Sequence, residues 1–413
     1  MVFYGTVCVG PPGAGKSTCC NGLQQYLRLI GRETMVVNLD PANEYHGSND
    51  DAGENGGNDD GEEEKSKMNS DDNDGDNDNN PSGTRNSHLP YDAILDASED
   101  IINLSSVMES LDLGPNGGLI YCIEYIHHHT KTLIKMLKER IEAYMIEKDL
   151  GVPPYLLFDF PGQVELYTHN TSVQYILAAL VKEMDIRLTA VHLVDAHSCA
   201  DASKFISAAL LSTTTMLRLE LPAINVLSKV DLLKGYGDGS IPFNLDYFVE
   251  CQELDRLLPF LEGLGEVQDD GLDEEVKWRI YEDEDYMKAR EKTRSSRFYK
   301  RYHKLHKELC EVVDDYGLLS YIPLDINDGT SVGRLVARMD KCNGYVFTGR
   351  KKKSGKENDK EPSNVEDMFQ CAMQMDHEWG YEQIADVQER FMHSFEEEVP
   401  ELRKSSDQGT TKR

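Results

Sequence analysis

The 413-residue sequence predicts an α/β fold in which a mostly parallel central sheet lies between two layers of helices. Three observations predict it. Short β-rich apolar runs recur at 2–9, 34–39, 155–159, 190–194, 224–227 and 318–323. Helical periodicity separates them, appearing after Lys16 and through 119–146, 172–182, 202–219, 300–313 and 331–341. The first apolar run ends in a glycine-rich segment that opens directly into a helical pattern. That junction is the signature of the P-loop NTPase three-layer sandwich.

Taken in order, the first run leads into GPPGAGKS at 10–17, a full GxxxxGK[ST] pattern. Successive backbone N–H groups over Gly13, Ala14 and Gly15 form an anion nest, and the helix N-terminus adds partial positive charge. Lys16 is positioned to bridge the β- and γ-phosphates, Ser17 to ligate Mg2+ through its hydroxyl, and Thr18 to support the α-phosphate. The second run ends in NLDPANE at 38–44. Asp40 there would face the phosphates, acting on Mg2+ waters or on the attacking water, although an Asp at this point also suits a turn or helix N-cap.

Gly114-Pro115-Asn116-Gly117-Gly118 interrupts two helical stretches and reads alone as a tight turn, with proline presetting φ and the glycines allowing φ above zero. Downstream, His127, His128 and His129 are consecutive. On a helix they project in different directions and cannot converge on one metal, which makes them surface or interface residues. The run at 155–159 continues into FDFPGQVE at 158–165. Asp159 is placed to hold Mg2+, the Gly162 N–H to meet the γ-phosphate, and Gln163 to orient water.

After the run at 224–227 comes Ser228-Lys229-Val230-Asp231. A carboxylate at Asp231 can accept from guanine N1–H and the exocyclic amine, whereas adenine offers an acceptor there and no such amine. The Lys229 stem can cover the base plane. Guanine is therefore expected over adenine, and a P-loop kinase or ATPase is the disfavoured alternative. An interaction protein that uses nucleotide only to hold its shape is the other alternative.

Composition bounds the rest. Net charge is −31, which argues against the electrostatic footprint of a nucleic-acid binder and against anionic membrane surfaces. No apolar run is long enough to span a membrane, and the cysteines lack CxxC spacing, so free thiols in a reducing compartment are expected. The charge concentrates in insertions. Residues 47–88 are nearly devoid of apolar side chains and are expected to be disordered. An EF-hand register on Gly75 would put Ser70 and Pro81 at ligand positions, so that motif fails. Residues 265–297 read as an acidic, partly helical insertion. The segment 349–363, with RKKKSGK, reads as an exposed basic linker or a nuclear-import signal, and 364–413 as a helical tail with a disordered end.

Together GPPGAGKST, NLDPANE, LGPNGGLIYCIEYI, FDFPGQVEL and SKVDL resemble the GPN-loop GTPase family, and IPFNLDYF and SYIPLDI resemble its second paralogue most. The resemblance covers 2–347 apart from the insertions and implies one GTPase domain over 1–348, GTP and GDP as ligands with Mg2+, and hydrolysis of GTP. It implies face-to-face dimers, homodimeric or with other GPN-loop GTPases, in which the loop of Gly114, Pro115 and Asn116 reaches the partner's nucleotide. Asn116 would then act in trans where other GTPases use an arginine finger, while Asp40, Gln163 and Glu165 organise the attacking water in cis. It further implies a role with RNA polymerase II and III subunits or assembly factors, from a cytoplasmic location with shuttling to the nucleus.

Overall fold

The computed structural model describes residues 2–42, 89–236, 243–261 and 297–345, together with 384, 387, 388 and 390. The insertion at 47–88, the acidic segment at 265–296, the linker at 349–363 and most of the tail lie outside the described residues, as do Asn43 and Glu44.

Seven strands form one sheet in the order β3-β2-β4-β1-β5-β6-β7. They are β1 (Phe3–Val9), β2 (Thr34–Asn38), β3 (Ala93–Asp96), β4 (Tyr155–Asp159), β5 (Ile186–Asp195), β6 (Ala223–Ser228) and β7 (Tyr321–Leu324). Every recorded pairing is parallel, so each strand returns through a crossover and both faces are covered. β2 and β4 are buried at every position for that reason.

One face packs on α4 (Pro115–His128), α5 (Thr130–Glu147) and α7 (Ser172–Met184), whose apolar stripes meet Val37, Phe158 and Leu188. The other face packs on α1 (Lys16–Leu29) and on α12 (Gly329–Asn343), through Leu23, Leu27, Leu335 and Met339. A further cluster beyond β6 joins α8 (Ala202–Leu219), α9 (Leu245–Glu250) and α11 (Arg297–Tyr316) around Phe205 and Phe248. Ile384 and Val387 of the tail are buried in that cluster, and Arg390 pairs with Asp328 at 3.6 Å.

The three-layer parallel sandwich agrees with the sequence. Some boundaries differ. The run at 119–146 is two helices with the break at His129, where the Thr130 hydroxyl donates to the Ile126 and His127 carbonyls and competes with the helix ladder. β3 was not anticipated, nor were α2 (Ala97–Asp100) and α3 (Leu104–Leu111) after it. The expected tight turn at 114–118 is instead a helix start. Gly114 is the N-cap with φ −70°, Pro115 occupies the first helical position, and Asn116 follows in the first turn. His128 and His129 are exposed and His127 is half-buried. The rings of His127 and His128 stack 5.3 Å apart, and His127 also stacks on Tyr175. Among the described residues no group of His, Cys, Asp or Glu is arranged to hold a metal.

Register positions the site. Cys8 pairs with Asp159, Asn38 with Asp159, and Asp195 with Ser228. The carboxyl ends of five neighbouring strands therefore align along one edge. In parallel α/β sheets ligands bind outside this edge, where the chain switches direction across the sheet.

Candidate active site

The loop after β1 climbs into α1 through Gly13 and Gly15, at φ +77° and +87°. Side chains with a Cβ rarely adopt that conformation, which is why glycines stand there. α1 begins with no side-chain cap and no acidic residue in its first turn, leaving its N–H groups and partial positive charge for an anion. The helix is anchored below by Gln24, which donates to the Thr34 and Asp92 carbonyls and accepts from the Asp92 N–H at 2.9 Å. That three-way bond fixes the segment carrying Tyr91.

Lys16 is 8% exposed, and its ammonium donates to the Pro11 carbonyl at 3.2 Å. Burial lowers its pKa, opposed by the carboxylates of Asp159 and Asp40. The loop after β4 passes so close that a Cβ on Gly162 would stand 2.6 Å from the Lys16 Nζ. Tyr167 holds this loop from behind by donating to the Pro161 carbonyl at 2.6 Å.

Asp159 is fully buried at the end of β4. Its Oδ2 accepts from the Tyr91 hydroxyl at 2.8 Å, whereas Oδ1 is buried without a hydrogen-bond partner. Burial pushes its pKa up to about 7, against the opposing influence of the Ser17 and Tyr91 hydroxyls. Such an orphaned carboxylate oxygen costs free energy unless a cation or donor meets it. Asp40 is positioned by Asn38, whose Oδ1 accepts from the Asp40 N–H at 3.1 Å. Its own carboxylate accepts from the Ala42 N–H, so it does make a turn, while burial raises its pKa. Gln163 is 8% exposed with its Oε1 buried and unpartnered, the state of a side chain shaped for a ligand or water.

Beside the loop lies a cleft of about 240 Å³. Ala14, Gly15 and Thr18 line it from the P-loop and α1, and Ser228, Lys229 and Asp231 from the end of β6 and the turn after it. The Ser228 hydroxyl is spent on the fold. It is placed to donate to the Ala14 carbonyl at 2.8 Å and to the Val194 carbonyl at 3.1 Å, tying β6 to the P-loop. Lys229 stands at φ +61° and donates to Asp195 Oδ2 at 2.8 Å.

Comparison with known proteins decides the family. A family model described as "Conserved hypothetical ATP binding protein" matches residues 8–50 and 84–345. GPN-loop GTPase QQT1 of Arabidopsis thaliana is 37% identical, over 96% of this chain and 99% of that protein. GPN-loop GTPase 2 of Danio rerio is 34% identical, over 97% of both. The chain belongs to the GPN-loop GTPase family. A solved apo-form GTPase from Pyrococcus abyssi aligns over 82% of this chain and 97% of its own at 18% identity and TM-score 0.45, a likeness too weak to add to this.

In this GPN-loop GTPase the P-loop, Asp40, Asp159, Gly162, Gln163 and the 228–231 segment share the carboxyl edge of the sheet. Four expected residues stand apart. Glu165 is exposed at the start of the four-residue α6 (Glu165–Thr168). Gly114, Pro115 and Asn116 are all exposed, and none of them lines the cleft. Five contributing residues were missed. Tyr91 follows a polar insertion with no motif around it, and Asp195 is a single acid after a strand. Leu324 at the end of β7, with Ile326 and Asn327 just after it, closes the cleft, where PLDIND offered only a turn-rich signal.

Proposed function

We propose that this GPN-loop GTPase binds guanine nucleotide, hydrolyses GTP to GDP and phosphate with Mg2+, and works as a dimer. What supports it is one arrangement: Lys16, the Gly162 loop and the orphaned Asp159 Oδ1 around an uncapped helix start, with Asp231 in the adjoining cleft. Phosphoryl transfer needs mainly positioning and charge stabilisation, and these groups supply both.

Mg2+ fits the donors present. Asp159 and Ser17 would hold it, and the ion would neutralise charge developing on the phosphates. Lys16 steadies the same charge, the Gly162 N–H faces it, and Gln163 with Asp40 orients the attacking water. Glu165, exposed in the isolated subunit, would join them once a partner covers that surface.

The raised pKa of Asp159 sets a pH dependence. The folded chain keeps a proton that the unfolded chain releases between pH 3.8 and about 7, so nucleotide-free stability falls as pH rises through that window. Metal binding requires the ionised form. The Mg2+ concentration for half-maximal turnover is expected to rise below pH 7, by up to about tenfold per unit. Asp159→Asn should raise nucleotide-free stability at pH 8 by on the order of 1–3 kcal/mol while abolishing the metal response. A flat Mg2+ requirement from pH 6 to 8 contradicts the assignment of Asp159.

Asn116 would complete the partner's site, its amide dipole standing where other GTPases place an arginine. The exposure of Gly114, Pro115 and Asn116 supports this, since it leaves the loop accessible to a second subunit. As the family resemblance implies, the dimer, formed with itself or another GPN-loop GTPase, assists RNA polymerase II and III assembly and nuclear localisation from the cytoplasm. Single-turnover phosphate release from GTP by the full chain tests the chemistry. Depletion in cells tests the role, and undiminished nuclear accumulation of polymerase II and III subunits would count against it.

A further inference from the structure

Lys229 carries three features that its place beside the guanine-reading Asp231 does not require. Its backbone sits in the left-handed region at φ +61°, a conformation that costs a non-glycine residue free energy and collects at functional positions. Its ammonium is fixed on Asp195 Oδ2 at 2.8 Å. Its stem lies along the P-loop, with Cε 3.8 Å from where a Cβ on Gly15 would stand, and it lines the cleft.

Asp195 is itself fixed. It ends β5 in register with Ser228 of β6, which places its carboxylate one strand over from Lys229. Its other oxygen accepts from the His197 N–H at 2.9 Å, so the carboxylate is clamped by the start of the following short helix. The pair is 36% and 33% exposed. An ion pair that open contributes little to stability. Its consequence lies in where it holds the lysine stem.

We propose that Asp195 is a positioning residue for the nucleotide base: by anchoring the Lys229 ammonium it stretches the aliphatic stem across the cleft as an apolar lid on the purine face. The proposal rests on the guanine-nucleotide function above. It assigns affinity for the base plane to Asp195 through Lys229, and leaves discrimination at the base edge to Asp231. A face contact is indifferent to edge substituents, so the two roles separate experimentally.

The test is equilibrium binding and dissociation of fluorescent GDP, with inosine diphosphate and ADP as competitors, on the full chain and its Asp195→Asn variant. Asp195→Asn is expected to weaken GDP and inosine diphosphate alike, by about three- to tenfold and through faster release, with their ratio unchanged. The melting temperature of the nucleotide-free protein should not move. Lys229→Met should weaken binding similarly, and the double variant should be no worse than Lys229→Met alone. GDP affinity within about twofold of wild type, or additive losses in the double variant, overturns the anchoring role. Selective loss of GDP over inosine diphosphate also overturns it, since Asp195 would then be reading the edge. A wild-type chain that binds ADP as well as GDP instead sinks the guanine reading itself, whatever Asp195→Asn does.

Discussion

Lys16→Ala is expected to lower GTP turnover by about 10²- to 10³-fold or more, the cost of deleting a pre-set charge donor at a transferring phosphoryl group. The ammonium is buried and already aimed across the loop, within reach of the influence of Asp159 and Asp40, so no reorganisation precedes its use. Its loss also removes the cation that holds the Asp40 pKa down, which pushes that carboxyl further toward the protonated form. Lys16→Arg should not rescue turnover. Gly162 passes too close to the Lys16 Nζ to admit a broader guanidinium, and Gly162→Ala should fail for the same reason. Phosphate release measured on saturating GTP checks all three variants, and wild-type rates in Lys16→Ala would refute the cradle.

The second large effect falls on Asn116. In the dimer, Asn116→Ala is expected to slow hydrolysis by about 10²-fold, less than the 10³–10⁵ attributed to an arginine finger because an amide carries a dipole rather than a full charge. Nucleotide affinity should hardly change, since Asn116 does not line the cleft of its own subunit. Mixing provides the sharper result. A dimer of one Lys16→Ala and one Asn116→Ala subunit retains one site with an intact cradle and an intact Asn116 from across the interface. Its activity should approach half that of wild type, well above either parent. Mixtures no more active than the parents would assign Asn116 to its own site or to none.

The fold and the proposed phosphate and base elements were legible in the chain because those elements are contiguous. Gly13 to Thr18, Asp159 to Gln163 and Ser228 to Asp231 each sit within a few residues of a strand end, so a short local pattern carries each of them. Elements built by distant contacts were not legible. Tyr91 reaches Asp159 only because Gln24 of α1 pins the Asp92 backbone, a bond across 68 residues. β3 is four residues long and follows a polar insertion, so it offered no periodicity to read. The Lys229–Asp195 pair spans two strands, and neither the clamp nor the positive φ has a sequence signal. The segment at 114–118 misled for the opposite reason. Its proline and glycines suit a tight turn locally, but packing of Gly118 against Leu104 and Met108 makes it the first turn of α4.

Every role proposed for Lys229, Asp195 and Asp231 depends on which base the cleft takes. Competition of GTP and of ATP against fluorescent GDP on the full chain with Mg2+ tests it most directly, repeated with Asp231→Asn. GTP should displace the probe at a concentration at least about 10²-fold lower than ATP, and Asp231→Asn should erase most of that margin. Displacement by ATP at concentrations equal to or below those of GTP would contradict the account.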